Sequence, residues 1–232
     1  PRYSSSAASD VYKRQTQFST TTKLKGKVDF VMGGVSYTGE DYDLGEGPAY
    51  QGQDAFTFNY RTTLNLNTSF TGKDLLYTRL RAGNFGKGAF SGKGYTGNQT
   101  QLDVAKETGN TVKVDKLWYQ FPVGDDLQVF VGPLIENYYM LGAAPSVYRQ
   151  ILKQFKLGGY YGVYGASTAP GAGVVWRPNS RVNPFDPKFS ISLNYTAKAG
   201  KDSDPQKGGI GTDNSRSKFL AQVAYGLSLI HI

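Results

Sequence analysis

Between Phe56 and Phe70 the chain alternates without a break. The even positions carry Phe56, Phe58, Tyr60, Thr62, Leu64, Leu66, Thr68 and Phe70, and the odd ones Thr57, Asn59, Arg61, Thr63, Asn65, Asn67 and Ser69. A period of two held that long is satisfied only by a β-strand, whose successive side chains point to opposite faces. Thr71-Gly72-Lys73-Asp74 then supplies residues suited to a reversal. Alternation resumes with Leu76, Thr78, Leu80 and Ala82 against Tyr77, Arg79 and Arg81. The product is a long hairpin, apolar and aromatic on one face, polar and cationic on the other. Strands of soluble proteins average about five or six residues. A tilted strand that crosses a bilayer in a closed barrel needs roughly nine to eleven, with apolar-out and polar-in alternation.

The same reading places further strands over residues 22–35, 112–121, 127–132, 172–177, 189–198 and 217–225. In the first, Leu24, Val28, Phe30 and Met32 oppose Lys23, Lys25, Lys27 and Asp29. In the last, Phe219, Ala221, Val223 and Tyr225 oppose Lys218, Leu220 and Gln222. The connections alternate long and short along the chain, which is the pattern of outer-membrane barrels, with short turns at one rim and long loops at the other. The longest irregular stretch, residues 133–171, is expected to hold a short helix near residues 146–155. Aromatic residues gather near strand ends, where an interfacial girdle would lie.

The chain is 39% hydrophobic with a mean hydropathy of −0.43, and it contains no run of eighteen apolar residues, so a membrane-crossing helix is excluded while a barrel is not. The chain has no cysteine. Its formal charge of +8 comes from basic residues spread along strand faces, without a recognition helix or zinc spacing, which argues against nucleic acid as a partner.

Both ends read as foreign to the protein. Residues 5–15, SSAASDVYKRQ, back-translate codon for codon to a sequencing-library adapter and transposon end. Residues 227–232, LSLIHI, back-translate to the reverse complement of that transposon end. Residues 1–15 and 227–232 are therefore set aside as translation artefacts, leaving residues 16–226 as the protein's own. Without Arg2, Lys13, Arg14 and Asp10, three cations and one anion fewer, the charge falls from +8 to +6. The only histidine, His231, goes with them.

No catalytic constellation can be assembled from what remains, so no enzyme activity and no cofactor are expected. Gly92-Lys93-Gly94-Tyr95-Thr96-Gly97 satisfies the dinucleotide fingerprint in letters only, because a polar loop follows where a helix is required. Glu40, Asp41, Asp43 and Glu46 could approach a hard cation, but their spacing departs from a calcium loop at Gly45 and a solvated loop is the better reading.

TTTKLK (20–25), TSFTGKDLLYTRL (68–80), AGNF (82–85), VDKLWYQFPVGD (114–125) and VFVGP (129–133) resemble, in order, the barrel of cyanobacterial outer-membrane porins of the OprB-like group, often labelled iron uptake porins. FLAQVAY (219–225) resembles it more weakly. The resemblance implies a barrel of about sixteen strands, of which residues 16–226 would be the N-terminal half. It also implies a location in the bacterial outer membrane, contact with its lipid, assembly as a homotrimer, and passive diffusion of ions and small hydrophilic solutes, inorganic anions or iron among them. The expected fold class is thus all-β, a transmembrane antiparallel barrel fragment of about eight strands, seen as a curved open sheet with unpaired edges.

In such a barrel the polar face looks onto water, and Lys25, Lys27, Asp29, Arg61, Arg79, Arg81, Lys116, Gln120, Lys198 and Lys218 become candidate pore-lining residues. A wall with excess positive charge lowers the barrier for anions such as phosphate, nitrate or bicarbonate. The opposite orientation would put arginine in hydrocarbon at a cost of about 2–4 kcal/mol each. The alternative is a soluble or surface-displayed β-sheet binding protein, adhesin- or lectin-like, with the polar face on a solvated exterior.

Overall fold

The computed structural model describes residues 20–35, 55–86, 90–91, 100–146, 148–158, 164, 168–178 and 188–226. Eight strands form one antiparallel sheet: β1 (Thr22–Gly33), β2 (Thr57–Thr68), β3 (Leu75–Gly83), β4 (Lys113–Val123), β5 (Leu127–Ile135), β6 (Ala169–Trp176), β7 (Lys188–Ala197) and β8 (Ser217–Gly226). Each strand pairs with the next in chain order, so the sheet is a meander, open and curved, with β1 and β8 at its edges. The strands run from eight to twelve residues, longer than the sheet of a soluble domain needs.

The expected boundaries hold except around the longest loop. Strand β5 continues to Ile135 and β6 begins at Ala169, so both ends of the stretch 133–171 are sheet. The helix expected near residues 146–155 is not formed. Short 3-10 turns lie instead at Asn137–Met140 and Lys153–Gly158, the second broken at Leu157, whose φ of 61° is left-handed. The backbone groups a helix would need are already taken. Ile151 accepts from the Asp103 amide and the Lys153 amide donates to Gln101, both at 2.8 Å, joining two long connections by a strand-like bridge at Leu102 and Leu152. Residues 40–46, residues 92–97 and both terminal segments lie outside the described residues.

The two faces of the sheet are inverted relative to a water-soluble protein. Phe30 (71% exposed), Phe58, Leu193, Phe219 and Val223 (71%) lie open on one face. On the other, Ser192 (1%), Asn194, Thr196, Lys116 (2%), Arg61 and Arg79 are covered. The covered side is here called the inner face. Outer-face aromatics cluster at both rims. Phe30–Phe58 and Tyr195–Phe219 pair toward the long loops, with ring centroids 5.8 and 4.8 Å apart. Phe70–Tyr119, Tyr119–Phe121 and Trp176–Phe189 pair toward the short turns. From Phe189 to Tyr195 the strand spans about 20 Å, comparable with the apolar band of a barrel wall between its girdles.

Over β4 to β8 the inner face is covered by the β5–β6 connection. It folds back onto β4 to β8 and closes a small apolar cluster of Trp118, Phe130, Ile135, Met140 and Val175, flanked by Tyr77 and Tyr139. Its approach depends on missing side chains. A Cβ at Gly173 would stand 2.7 Å from that of Asn194 and 2.9 Å from Met140 Sδ, and one at Gly142 would stand 2.4 Å from Ser190 Oγ.

Candidate functional site

Cross-strand register brings the charged residues of the inner face together. Asp29 of β1 stands opposite Arg61 of β2, and Thr63 and Asn65 of β2 stand opposite Arg81 and Arg79 of β3. Directly opposite residues lie about 4.5–5.5 Å apart at Cβ, close enough for side chains to pair. Arg61 donates to Asp29 Oδ2 from Nε at 3.1 Å and Nη2 at 2.7 Å, while Lys27 Nζ lies 2.5 Å from Asp29 Oδ1. The remaining arm of Arg61 donates to the Asp103 carbonyl at 3.2 Å, tying the β3–β4 connection to the wall.

A second network centres on Asp115. Register between β3 and β4 slips between Arg79 and Leu80, so that Arg79 faces Lys116, Leu80 faces Val114, and Asp115 is the extra residue of a bulge. A bulge re-aims a side chain, and here Asp115 reaches the same face as Lys116. Arg79 donates from Nε at 2.7 Å, Lys106 Nζ lies at 3.0 Å, and Arg81 Nη1 is more distant at 3.5 Å. Arg79 Nη1 also donates to the Tyr139 hydroxyl at 3.0 Å. Lys116, almost fully buried, is held by the Glu136 carboxylate and the Thr168 hydroxyl. Buried charges of this kind persist because each is paired and hydrogen-bonded; removing one partner leaves the other uncompensated.

The inserted connection is fastened by polar side chains of the wall. Asn137 Nδ2 donates to Asn194 Oδ1 at 2.7 Å and to the Lys218 carbonyl at 3.1 Å, and its oxygen accepts from Thr196 Oγ1 at 2.8 Å. Gln222 exchanges two bonds with the backbone of Ala143, and Arg177 Nη2 donates to the Gly142 carbonyl at 2.9 Å. Tyr77, Trp118, Tyr139 and Tyr138 form a continuous row of tilted ring contacts with successive centroids 4.2, 4.6 and 4.4 Å apart. Burial, then the neighbouring Tyr139 and the Glu136 carboxylate, hold the Tyr138 hydroxyl far above the ordinary tyrosine range, so it stays neutral. Among the described residues, what this assembly presents is a wall of paired charges with a segment laid across it.

Of the ten residues singled out in the sequence, Lys27, Asp29, Arg61, Arg79, Arg81 and Lys116 join these networks. Lys25 lies exposed on the edge strand β1, opposite Asn65. Gln120 is half-buried beside Leu75 and Phe130. Lys198 sits exposed in the turn past the end of β7, and Lys218 offers its carbonyl to Asn137. Sequence reasoning passed over Asp115, Glu136, Asn137 and Tyr139. Only Asp115 left a trace: the inward phase runs through Lys113 and Asp115, then jumps to Lys116 and Trp118, and such a slip marks a bulge.

Comparison with known proteins gives the architecture a family. Residues 12–223 match the carbohydrate-selective porin family, OprB. An uncharacterized protein of Synechocystis sp. is 34% identical over 218 residues, covering 90% of this chain and 35% of that protein. Another from Nostoc sp. is 37% identical over 114 residues, 47% of this chain and 18% of its own length. The chain thus spans about a third of the length of the Synechocystis relative. No solved structure matches it. A meander of long strands, apolar outside and charged within, together with a match along nearly its whole length, establishes that this chain belongs to the OprB family of porins.

Proposed function

We propose that residues 16–226 form part of the wall of a water-filled channel in the bacterial outer membrane, through which small hydrophilic solutes, carbohydrates and inorganic anions, diffuse passively. The observation that carries this reading is the inversion of the two faces: Val223 and Phe30 are each 71% exposed while Lys116 is 2% and Ser192 1% exposed. Lipid outside and water inside make that arrangement favourable; water on both sides does not. The same inversion weighs against a soluble adhesin- or lectin-like sheet, which would expose an apolar patch far larger than monomers tolerate. The family description names carbohydrates and makes no mention of iron, so sugars stand ahead of iron as cargo.

Open edges at β1 and β8 would carry unpaired backbone groups in hydrocarbon, which favours further strands closing the barrel. The chain is accordingly read as the first half of a barrel of about sixteen strands, with the homotrimer as its assembly. The full-length reading frame, expressed and extracted from the outer membrane, tests this. Discrete conductance steps in planar bilayers and glucose efflux from proteoliposomes are expected. A product soluble without detergent and silent in bilayers would overturn it.

A further inference from the structure

Among the described residues, four buried side-chain atoms have no hydrogen-bond partner, Thr63 Oγ1, Arg81 Nε, Trp118 Nε1 and Gln128 Nε2, and the first two belong to neighbouring residues of the inner wall. The two residues face each other directly across β2 and β3. Thr63 Oγ1 and Arg81 Nε are themselves covered, but the Arg81 side chain as a whole is 20% exposed, so its guanidinium has an open side away from Nε. Among the described residues the carboxylate that Arg81 meets is Asp115, 3.5 Å away and already bonded more closely by Arg79 and Lys106. Counting the linked groups, Lys27, Arg61, Arg79, Arg81 and Lys106 are set against Asp29 and Asp115, an excess of three positive charges.

Orphaned donors in a native protein call for an explanation, and an ion that belongs there is one. The sign of the excess says which kind: an anion. The donors say which shape. A guanidinium fork matches the paired oxygens of phosphate or sulfate, charge-assisted bonds of this type are the strong ones, and a hydroxyl adds a further donor beside it. We propose that Arg81 and Thr63, backed by Arg61 and Arg79, form a discrete binding subsite for a small tetrahedral oxyanion on the inner wall. The subsite would make such anions pause at the wall rather than merely feel a diffuse positive field. It deepens the channel reading but does not need it, since binding can be measured without transport.

The test uses the full-length protein in detergent, with inorganic phosphate as probe and the width of its phosphorus NMR line as readout of binding. Saturable broadening is expected. Loss of a charge-assisted contact weakens affinity about tenfold or more, and that is the shift expected in Arg81→Gln. Thr63→Val and Arg81→Lys should weaken it several-fold while leaving the fold intact. Lys201→Gln, on the exposed β7–β8 connection, should leave it unchanged. No broadening in the wild type, or equal losses in Arg81→Gln and Lys201→Gln, would overturn the subsite. In planar bilayers the same phosphate should reduce chloride current saturably in the wild type and less in Arg81→Gln. Phosphate binding without any conductance would sink the channel reading and keep the subsite; conductance without phosphate binding would do the reverse.

Discussion

Arg61 places two donors, Nε and Nη2, on a single oxygen of Asp29, the residue directly opposite it on the neighbouring strand. Both side chains are largely covered, at 9% and 14% exposed. Asp29→Ala would therefore leave a buried guanidinium short of its counter-ion, a change that costs about 3 kcal/mol. A lower unfolding midpoint of the detergent-solubilised full-length protein is the expected result. Arg61→Leu in the same chain should recover most of the loss, because it removes the unpaired charge; no recovery would show that the ion pair is not the cause.

Asp74 organises the tight turn between β2 and β3. Its carboxylate accepts from the Phe70 and Thr71 amides, from the Ser69 and Thr71 hydroxyls, and from the Tyr119 hydroxyl. Burial raises its pKa, but the Thr71 amide and the Tyr119, Thr71 and Ser69 hydroxyls outweigh that and hold it well below the usual carboxylate range. The unfolded carboxyl titrates near 3.9 and the folded one lower. Stability from this turn is thus complete above about pH 5 and is lost as pH falls through 4 and below. Between pH 6 and pH 3 the wild-type unfolding midpoint should drop, and Asp74→Ala, less stable at pH 6, should show a shallower decline. Parallel profiles would refute the assignment.

Asn137 fastens the inserted connection to three wall groups. Asn137→Ala leaves Asn194 and Thr196 without that partner, and each buried polar group so stranded costs about 1–3 kcal/mol. With the segment loosened from the wall, single-channel conductance should rise and become noisier, and limited proteolysis should cut within residues 136–168. Unchanged conductance would mean that this segment does not bound the passage.

Leu193 lies mid-strand on the outer face, 52% exposed. Leu193→Arg there should cost about 2–4 kcal/mol when the protein folds into lipid vesicles. Lys25→Gln on β1 should stay within about 0.5 kcal/mol. Comparable folding yields for the two variants would place the hydrocarbon on the other side of the sheet.

The strands and their two faces were legible in residues 56–82 because alternation is a local property: each side chain's direction follows from its neighbours along the chain. Loop lengths were legible for a similar reason, since Gly, Asp and Asn interrupt the period wherever the chain turns. The helix expected near residues 146–155 was not formed because its backbone bonds go to residues 101–103, some fifty positions away, and no local pattern announces such a partner.

Period-two alternation, the rim aromatics and the positive excess were therefore set by the amino-acid sequence itself, through side-chain chemistry that acts over one or two residues. Which cation meets which carboxylate was decided only in three dimensions. Asp29 meets Arg61 through strand register, Asp115 meets Arg79 through a bulge, and Glu136 meets Lys116 because an entire connection folds inward. Those pairings join residues far apart in the chain, and the inward fold of that connection also needs the room left at glycines 142 and 173, where a Cβ would meet Ser190, Asn194 and Met140.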